Sequence, residues 1–326
     1  MSVNLFDANF YRAANPDLVG LNDAQAFSHF QNNGLNENRL FSPFANLNFY
    51  RSSNPDLVAN GVSTNRQAFD HLQNSGVAEG RSFSEFVDID YYLLVNPDVS
   101  QAVEDNPELA LEHLRNFGVN EGRSFSLYVD LGYYLSTNPD VNQVTGGNRA
   151  RSLEHLEIFG LSEGRRFSPA FDVNFYRNTY PDLTSAGLTT NRSLFEHWVT
   201  IGEYPDGRSG TPDPGNSLDT ALNLGSPASS VTIFNDFVGS SDTNDYYRLT
   251  LNQSRIIGAD FFTLSADLDL AILNNNGSVI ANSSSAGSAN DSVSSLLNPG
   301  TYFIQVSQGV PNASSNYTLF VLVIPA

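Results

Sequence analysis

The sequence contains no cysteine and no lysine. Without thiols there can be no disulfide, no thiol nucleophile and no cysteine-based zinc site. All 16 basic residues are therefore arginine, set against 35 acidic ones for a formal net charge of −19. So acidic a surface repels phosphate backbones, which argues against nucleic acid as a partner, and it disfavours anionic membrane surfaces. It favours solubility and divalent cations. No run approaches 18 consecutive apolar residues, so no transmembrane helix and no membrane insertion are expected. The stretch from Met1 to Asn4 has neither a basic n-region nor a long apolar run. The expectation is that a Sec signal is absent or was removed; such a protein could be cytoplasmic or could leave by a route without an N-terminal signal, and the stretch Phe320 to Ala326 is apolar enough to allow one that reads the C-terminus. Also missing are a Gly-x-Ser-x-Gly elbow, a His-Glu-x-x-His helix and a phosphate-cradling glycine loop. Histidine is scarce, and all 5 histidines fall in one column of a repeat.

That repeat organises the first two-thirds of the chain. An aromatic pair recurs at Phe10–Tyr11, Phe49–Tyr50, Tyr91–Tyr92, Tyr133–Tyr134 and Phe175–Tyr176, with one step of 39 residues and three of 42. Pro-Asp follows at Pro16, Pro55, Pro97, Pro139 and Pro181. The histidine column is His29, His71, His113, His155 and His197, each trailed five positions on by Gly34, Gly76, Gly118, Gly160 or Gly202. An acidic-x-Arg triplet closes each unit, on Glu37/Arg39, Glu79/Arg81, Glu121/Arg123, Glu163/Arg165 and Asp206/Arg208. The five units run over about 5–43, 44–85, 86–127, 128–169 and 170–208.

Within the third unit the pattern reads as two helices. Asp88 is a fair N-cap, as are Asp7, Asn46, Asp130 and Asp172 in the same place. Ile89, Tyr92 and Leu93 form an apolar stripe at helical spacing. Asn96 before Pro97 stops that helix, and Asn-Pro-Asp can open a short new turn. The second helix is expected from Asn106-Pro107-Glu108 onward, with Ala110, Leu114 and Phe117 on one face. Gly118 suits a left-handed C-cap. One apolar face per helix cannot be buried within a unit, so the five units are expected to stack as an α-helical solenoid spanning 1–208.

Composition shifts at 209–215, a Gly- and Pro-rich stretch that reads as a linker. Beyond it there is no glutamate and no histidine. Short alternating runs follow at 231–237, 246–251, 256–262, 268–273, 279–281, 293–297, 301–306 and 317–323, with Asn276-Gly277 and Asn298-Pro299-Gly300 as turn chemistry. This predicts an antiparallel β-sandwich over 216–326. The fold class is thus multidomain α + β, a five-unit helical repeat array followed by the sandwich.

Two resemblances add to this reading. Tyr91-Tyr92-Leu93, Asn96-Pro97-Asp98-Val99, Glu112-His113 and Glu121-Gly122-Arg123 resemble a repeat of about 40 residues in bacterial, often cyanobacterial, secreted or surface proteins. Four motifs in order make the second half similar to the bacterial pre-peptidase C-terminal domain. They are Asn216 to Ala221, Val238 to Tyr247, Ala266 to Leu270 and Pro299 to Phe303. The resemblance implies a binding module that accompanies secreted peptidases or stands alone. It also implies calcium, since related collagen-binding domains place ligands at an acidic or Asn cluster near the domain start and at an Asp-x-x-Asp pair. Asp213, Asn216, Asp242 and Asp245 match that pattern, with Asp219 nearby. The departures are Asp213 and Gly215, where the family often has glutamates and another Asn. The plainer reading is that these side chains cap turns.

The two columns of the array are the other candidates. Five imidazoles could line up, but neighbouring helices pack about 8–10 Å apart, too far to share an ion. The favoured reading is a half-buried His donating to a backbone carbonyl or to the Asp of Asn-Pro-Asp. Arginines 39, 81, 123, 165 and 208 could form a ladder that forks onto carboxylates or sulfated sugars. The favoured reading is structural, each pairing with an acidic group such as Asp98 in its own or the next unit. Together these features lead to the expectation of a non-enzymatic extracellular or cell-surface protein. Its partner would be a protein or polysaccharide surface, or the chain itself in a layer or filament. The alternatives are a carbohydrate-binding adhesin and an accessory region of a secreted hydrolase.

Overall fold

Asp88 shows how each unit begins. In the computed structural model, which describes residues 3–202, 207–227, 229–262 and 264–326, its carboxylate accepts from the Tyr91 amide at 2.9 Å. That caps the helix Ile89–Val95. Asp7, Asn46, Asp130 and Asp172 cap the corresponding helices of the other units. A capping side chain of this kind satisfies amides that would otherwise lack partners. The cap residue's own amide then closes the unit, donating to the carbonyl of Phe41, Phe83, Phe125 or Phe167, and in the last unit to that of Gly210. The stretch read as a linker thus starts inside the fifth unit, where Thr211 is buried.

Each unit contains three helical segments where the pattern predicts two. In the third unit these are Ile89–Val95, Pro97–Val103 and Pro107–His113. The extra one is the turn opened by Asn-Pro-Asp, which propagates into a full helix in units two to five and a single 3-10 turn, Pro16–Leu18, in the first. Asn96 stands at its start without capping it. Its side-chain amide donates instead to the carbonyls of Tyr92 (2.8 Å) and Ser124 (2.9 Å), tying the end of one helix to the closing loop. Asn15, Asn54 and Asn138 do the same.

The third segment does not end on a left-handed glycine. Gly118 has φ −56° and lies inside the helix. It is the last residue of a π-helical turn, Leu114–Gly118, that recurs as Phe30–Gly34, Leu72–Gly76, Leu156–Gly160 and Trp198–Gly202. The left-handed residue is Gly122, φ 74°, in Glu-Gly-Arg. Gly118 is needed for closeness of approach: a Cβ there would collide with the Tyr92 hydroxyl, as one at Gly34 or Gly76 would with Tyr11 or Tyr50. The five tyrosines of that column, Tyr11, Tyr50, Tyr92, Tyr134 and Tyr176, have no exposed surface.

The second half forms nine strands: β1 Leu222–Asn223, β2 Ser230–Val238, β3 Asn244–Leu251, β4 Arg255–Phe262, β5 Leu268–Asn274, β6 Val279–Ser283, β7 Ser292–Leu297, β8 Gly300–Gln308 and β9 Ser315–Pro325. They make two sheets, ordered β1-β3-β8-β5-β6 and β2-β9-β4-β7. All pairings are antiparallel except β1 with β3. Alternation decides which side is buried. In β9, Tyr317, Leu319, Val321 and Val323 point inward and the residues between them do not. The inner faces meet where Phe234 of β2 lies 4.8 Å from the Tyr247 ring of β3. The eight strands read from alternation are all present. The ninth, β1, is two residues long and carries no alternation.

Two compact units emerge, 1–129 with 148–163, and 130–147 with 164–326. Among the described residues no helix is long and apolar enough to cross a membrane.

Candidate functional site: a carboxylate cluster at the edge of the sandwich

Asp213 comes together with the Asp242/Asp245 pair although it lies about 30 residues earlier in the sequence. One carboxylate oxygen from each lies within 4.8 Å of the other two, the one such group of metal-ligating side chains among the described residues. Asp213 sits before the domain's first strand, its Oδ1 accepting from the Gly215 amide at 2.7 Å. Asp242 sits in the turn between β2 and β3, closed by Gly239 and Asp242 exchanging backbone bonds of 2.7 and 3.2 Å. Asp245 is on β3 and fully buried.

Asn216 joins the group as a brace. Its Oδ1 accepts from the amides of Thr243 (2.8 Å) and Asn244 (2.9 Å), and its Nδ2 donates to Asp242 Oδ1 at 2.8 Å. Its oxygen is thus spent on holding the β2–β3 turn, and its amide holds Asp242 toward the cluster. Asp219, expected nearby, is not part of it.

Behind Asp245 a chain of hydroxyls runs into the core. Tyr317 donates to Asp245 Oδ2 at 2.5 Å, and its oxygen lies 2.8 Å from that of Tyr247. The other oxygen, Asp245 Oδ1, is buried with no hydrogen-bond partner. A buried carboxylate in this state is costly unless it is protonated or meets a cation. The electrostatics agree. Burial pushes Asp245 up to about 8, the Tyr317 bond opposing and the charges of Asp236, Asp242 and Asp213 adding to the rise. Asp242 goes up to about 6, from burial and then from sharing a hydrogen bond with Asp213. Asp236, on β2 in register with Tyr317, goes up to about 7, chiefly by burial.

Asp236 and the two tyrosines belong to this cluster's surroundings and were not picked out from the sequence. A signal existed for Tyr317, which shares an inward-pointing alternation with Leu319 and Val321, so its hydroxyl needs a buried partner. The donor set suits calcium. It is all oxygen, carries several carboxylates and contains one buried, unpartnered acceptor, while nitrogen and sulfur ligands are absent from the group. Asp213, Asp242 and Asp245 would hold the ion, with backbone carbonyls and water completing six to eight ligands.

The columns of the array turn inward on themselves. In four units the Nδ1 partner is a tyrosine hydroxyl where a backbone carbonyl or the Asp of Asn-Pro-Asp was expected. Nδ1 of His29, His71, His113 and His197 lies 2.9, 2.8, 2.7 and 3.0 Å from the hydroxyl of Tyr11, Tyr50, Tyr92 and Tyr176. Tyrosine wins because the glycine gap lets its hydroxyl pass under the π turn to the imidazole. His155 also has a partner. The arginines close each unit at its surface. Arg123 reaches Glu121 at 2.5 Å and Asp98 at 2.7 Å, and Arg39 and Arg81 repeat this with Glu37/Asp17 and Glu79/Asp56. Arg165 pairs with Asp140 and Arg208 with Asp182, while Asp206 lies outside the described residues. In the fifth unit Tyr180 replaces the Asn of Asn-Pro-Asp, and Arg208 stacks on its ring at 4.7 Å.

These arginines have a pH consequence. Hydrogen bonds from Arg39, Arg123, Arg165 and Arg208 hold Asp17, Asp98, Asp140 and Asp182 below the ordinary 3.8. A depressed carboxylate stabilises the fold above its unfolded value and loses that contribution as pH falls through its folded one. The helical signal in circular dichroism is expected to melt at lower temperature as pH drops below about 4. Alanine in place of Arg123 should flatten that dependence, and an unchanged slope would contradict the assignment.

No family model matches the chain, and no curated protein matches it. Solved structures similar to it include the pre-peptidase C-terminal domain of a collagenase from Bacillus anthracis, at 14% identity over 30% of this chain and 91% of that one, with a TM-score of 0.25. Another is PliG from Aeromonas hydrophila, a periplasmic inhibitor of g-type lysozyme, at 14% identity over 28% and 85%, TM-score 0.24. A third is a carbohydrate-binding module of lichenase 5A from Cellvibrio mixtus, in complex with cellotriose, at 12% identity over 28% and 77%, TM-score 0.20.

Proposed function

We propose that this is a non-enzymatic, extracellular recognition and assembly protein. In this reading the helical array offers the binding surface for a protein or polysaccharide, and the sandwich is a docking module that takes calcium at Asp213, Asp242 and Asp245. Copies of the chain associate with one another.

One observation carries the reading. The most regular polar columns are largely engaged, Tyr with His in four units and Arg with the Asp of Pro-Asp in all five, so what is left for a partner is the position that varies. Four residues after each histidine stand Asn33, Ser75, Phe117, Phe159 and Ile201. The last three are 57%, 48% and 45% exposed. Phe117 lies 5.7 Å from the His113 ring and Phe159 5.5 Å from that of His155. Phe117 and Phe159, large apolar groups held out at the same place in the third and fourth repeats of an otherwise acidic protein, mark an interaction surface. Aromatic faces of this kind suit the C–H face of a sugar, which favours the adhesin version.

The test is pull-down on a panel of insoluble polysaccharides and bacterial surface fractions, with turnover of glycans and peptides measured alongside. Retention on one of them is expected to weaken about tenfold when Phe117 and Phe159 are both changed to Ser, the loss of one modest hot spot. Turnover that disappears on changing one carboxylate pair would overturn the reading.

A further inference from the structure

From Leu270 to Ala326 the sequence has a single charged side chain, Asp291. That one is buried, accepting from the Ser283 hydroxyl (2.7 Å) and the Ser285 amide (2.9 Å). Strands β6 to β9 therefore show solvent no charged side chain, in a protein of net charge −19.

Within this neutral region β7 is an edge strand, paired with β4 on one side and, among the described residues, with no strand on the other. The Phe261 amide donates to the Asp291 carbonyl at 3.2 Å, just before the strand begins. In an antiparallel ladder, hydrogen-bonded pairs alternate with pairs whose backbone groups point away. With Phe261 opposite Asp291 and Ala259 opposite Val293, the residues whose N–H and C=O face outward are Ser292, Ser294 and Leu296. All three have exposed side chains, Leu296 at 65%.

Proteins blunt such edges with brevity, bulges, prolines or charge. The other three edges here are blunted: β1 has two residues, β6 pairs through a register irregularity at Ile272/Leu273, and β2 carries Asp236. Strand β7, Ser-Val-Ser-Ser-Leu-Leu, has none of these devices.

We propose that β7 is a homodimer interface, in which a second copy of the chain lays its own β7 alongside, antiparallel. Ser294 then faces the partner's Ser294, and Ser292 faces the partner's Leu296, so one sheet runs through both copies. The arrangement is isologous and self-complementary. Charge selects the occupant. Two acidic copies repel wherever carboxylates face each other, and this edge is where they meet without that cost. The proposal deepens the assembly part of the function proposed above and rests on it.

The experiment is sedimentation velocity of the full chain across a wide concentration range at low and high salt, for wild type, Ser294→Pro and Ser294→Asp. Proline removes an outward N–H and cuts no bond to β4, and aspartate places like charges opposite each other across the two-fold axis. Wild type is expected to dimerise with little dependence on salt, and each variant to weaken the dimer by at least about tenfold with its melting temperature nearly unchanged. Should proline unfold the domain, the aspartate variant decides. A dimer that survives in the folded variants overturns the β7 interface and leaves assembly standing through another surface. A chain that stays monomeric at every concentration overturns both.

Discussion

Replacing Gly118 with alanine is expected to destabilise the array by about 2 kcal/mol or more, against the ordinary rule for a glycine inside a helix. With φ −56° the residue is helical, and on propensity alone alanine would gain about 1 kcal/mol. The opposing effect is steric. The new Cβ would occupy the place of the Tyr92 hydroxyl, with the ring's Cζ only 3.0 Å away. Tyr92 has no exposed surface and cannot swing out without opening the core. Overpacking of a well-filled core costs about 1–3 kcal/mol, and loss of the 2.7 Å bond to His113 adds about 1 kcal/mol. A double-mutant cycle tests the cause. In the Tyr92→Phe background the hydroxyl is gone, so Gly118→Ala should cost clearly less there than in wild type, though still something because Cζ remains close. Thermal melts of the four proteins give the coupling. A Gly118→Ala variant that melts at or above wild type would show that the glycine column has another cause.

Much of this architecture was readable from the chain. The period shows as recurring residues at fixed steps of 39 to 42, and the Asp and Asn caps and the eight alternating strands are local signals, written in residues two to four apart. What escaped is set by residues that meet only after folding. Gly118 looked like a C-cap because glycine after a helical pattern usually is one, and nothing near it in sequence announces a tyrosine hydroxyl from 26 positions earlier. The π turn ends at that same glycine, and periodicity tuned to 3.6 residues could not show it. The histidine partner was misassigned for the same reason. At the sandwich, the Asp-x-x-Asp pair and Asp213 were visible as types and spacings. The burial of Asp245, the brace made by Asn216 and the nearness of Asp236 depend on how two sheets face each other. Asp236 in particular sits in an alternating strand, where a carboxylate reads as solvent-facing.

The second large effect concerns that cluster, and its sign is unusual for a protein so acidic. In the absence of a divalent cation, the sandwich is expected to lose stability as pH rises from about 4 to about 8. Asp245 has an ordinary value of 3.8 and is raised to about 8 in the folded state. Asp236 and Asp242 are raised to about 7 and about 6. A carboxyl whose folded value is raised stabilises the fold while it holds its proton, fully so below the unfolded value, and loses that contribution as pH climbs through the folded one. The array should show the opposite trend in acid, because its aspartates are depressed by arginine. If calcium binds as proposed, it would substitute for the protons, and since it must displace them, its effect should grow with pH. At pH 8, calcium at about 100 times its dissociation constant contributes about 2.7 kcal/mol, so calorimetry should show the sandwich transition rising on the order of 10 °C over chelator. At pH 5 the difference should be small. Asp245→Asn makes the assignment sharp. Its amide oxygen can still accept from Tyr317, and the side chain, its NH₂ where the unpartnered Oδ1 was, brings no charge to be buried. The variant should therefore melt above wild type in chelator at pH 8, with a flattened pH dependence and no calcium response. If it melts lower in chelator and still responds to calcium, Asp245 is neither the strained group nor a ligand, and the cluster is a set of turn caps.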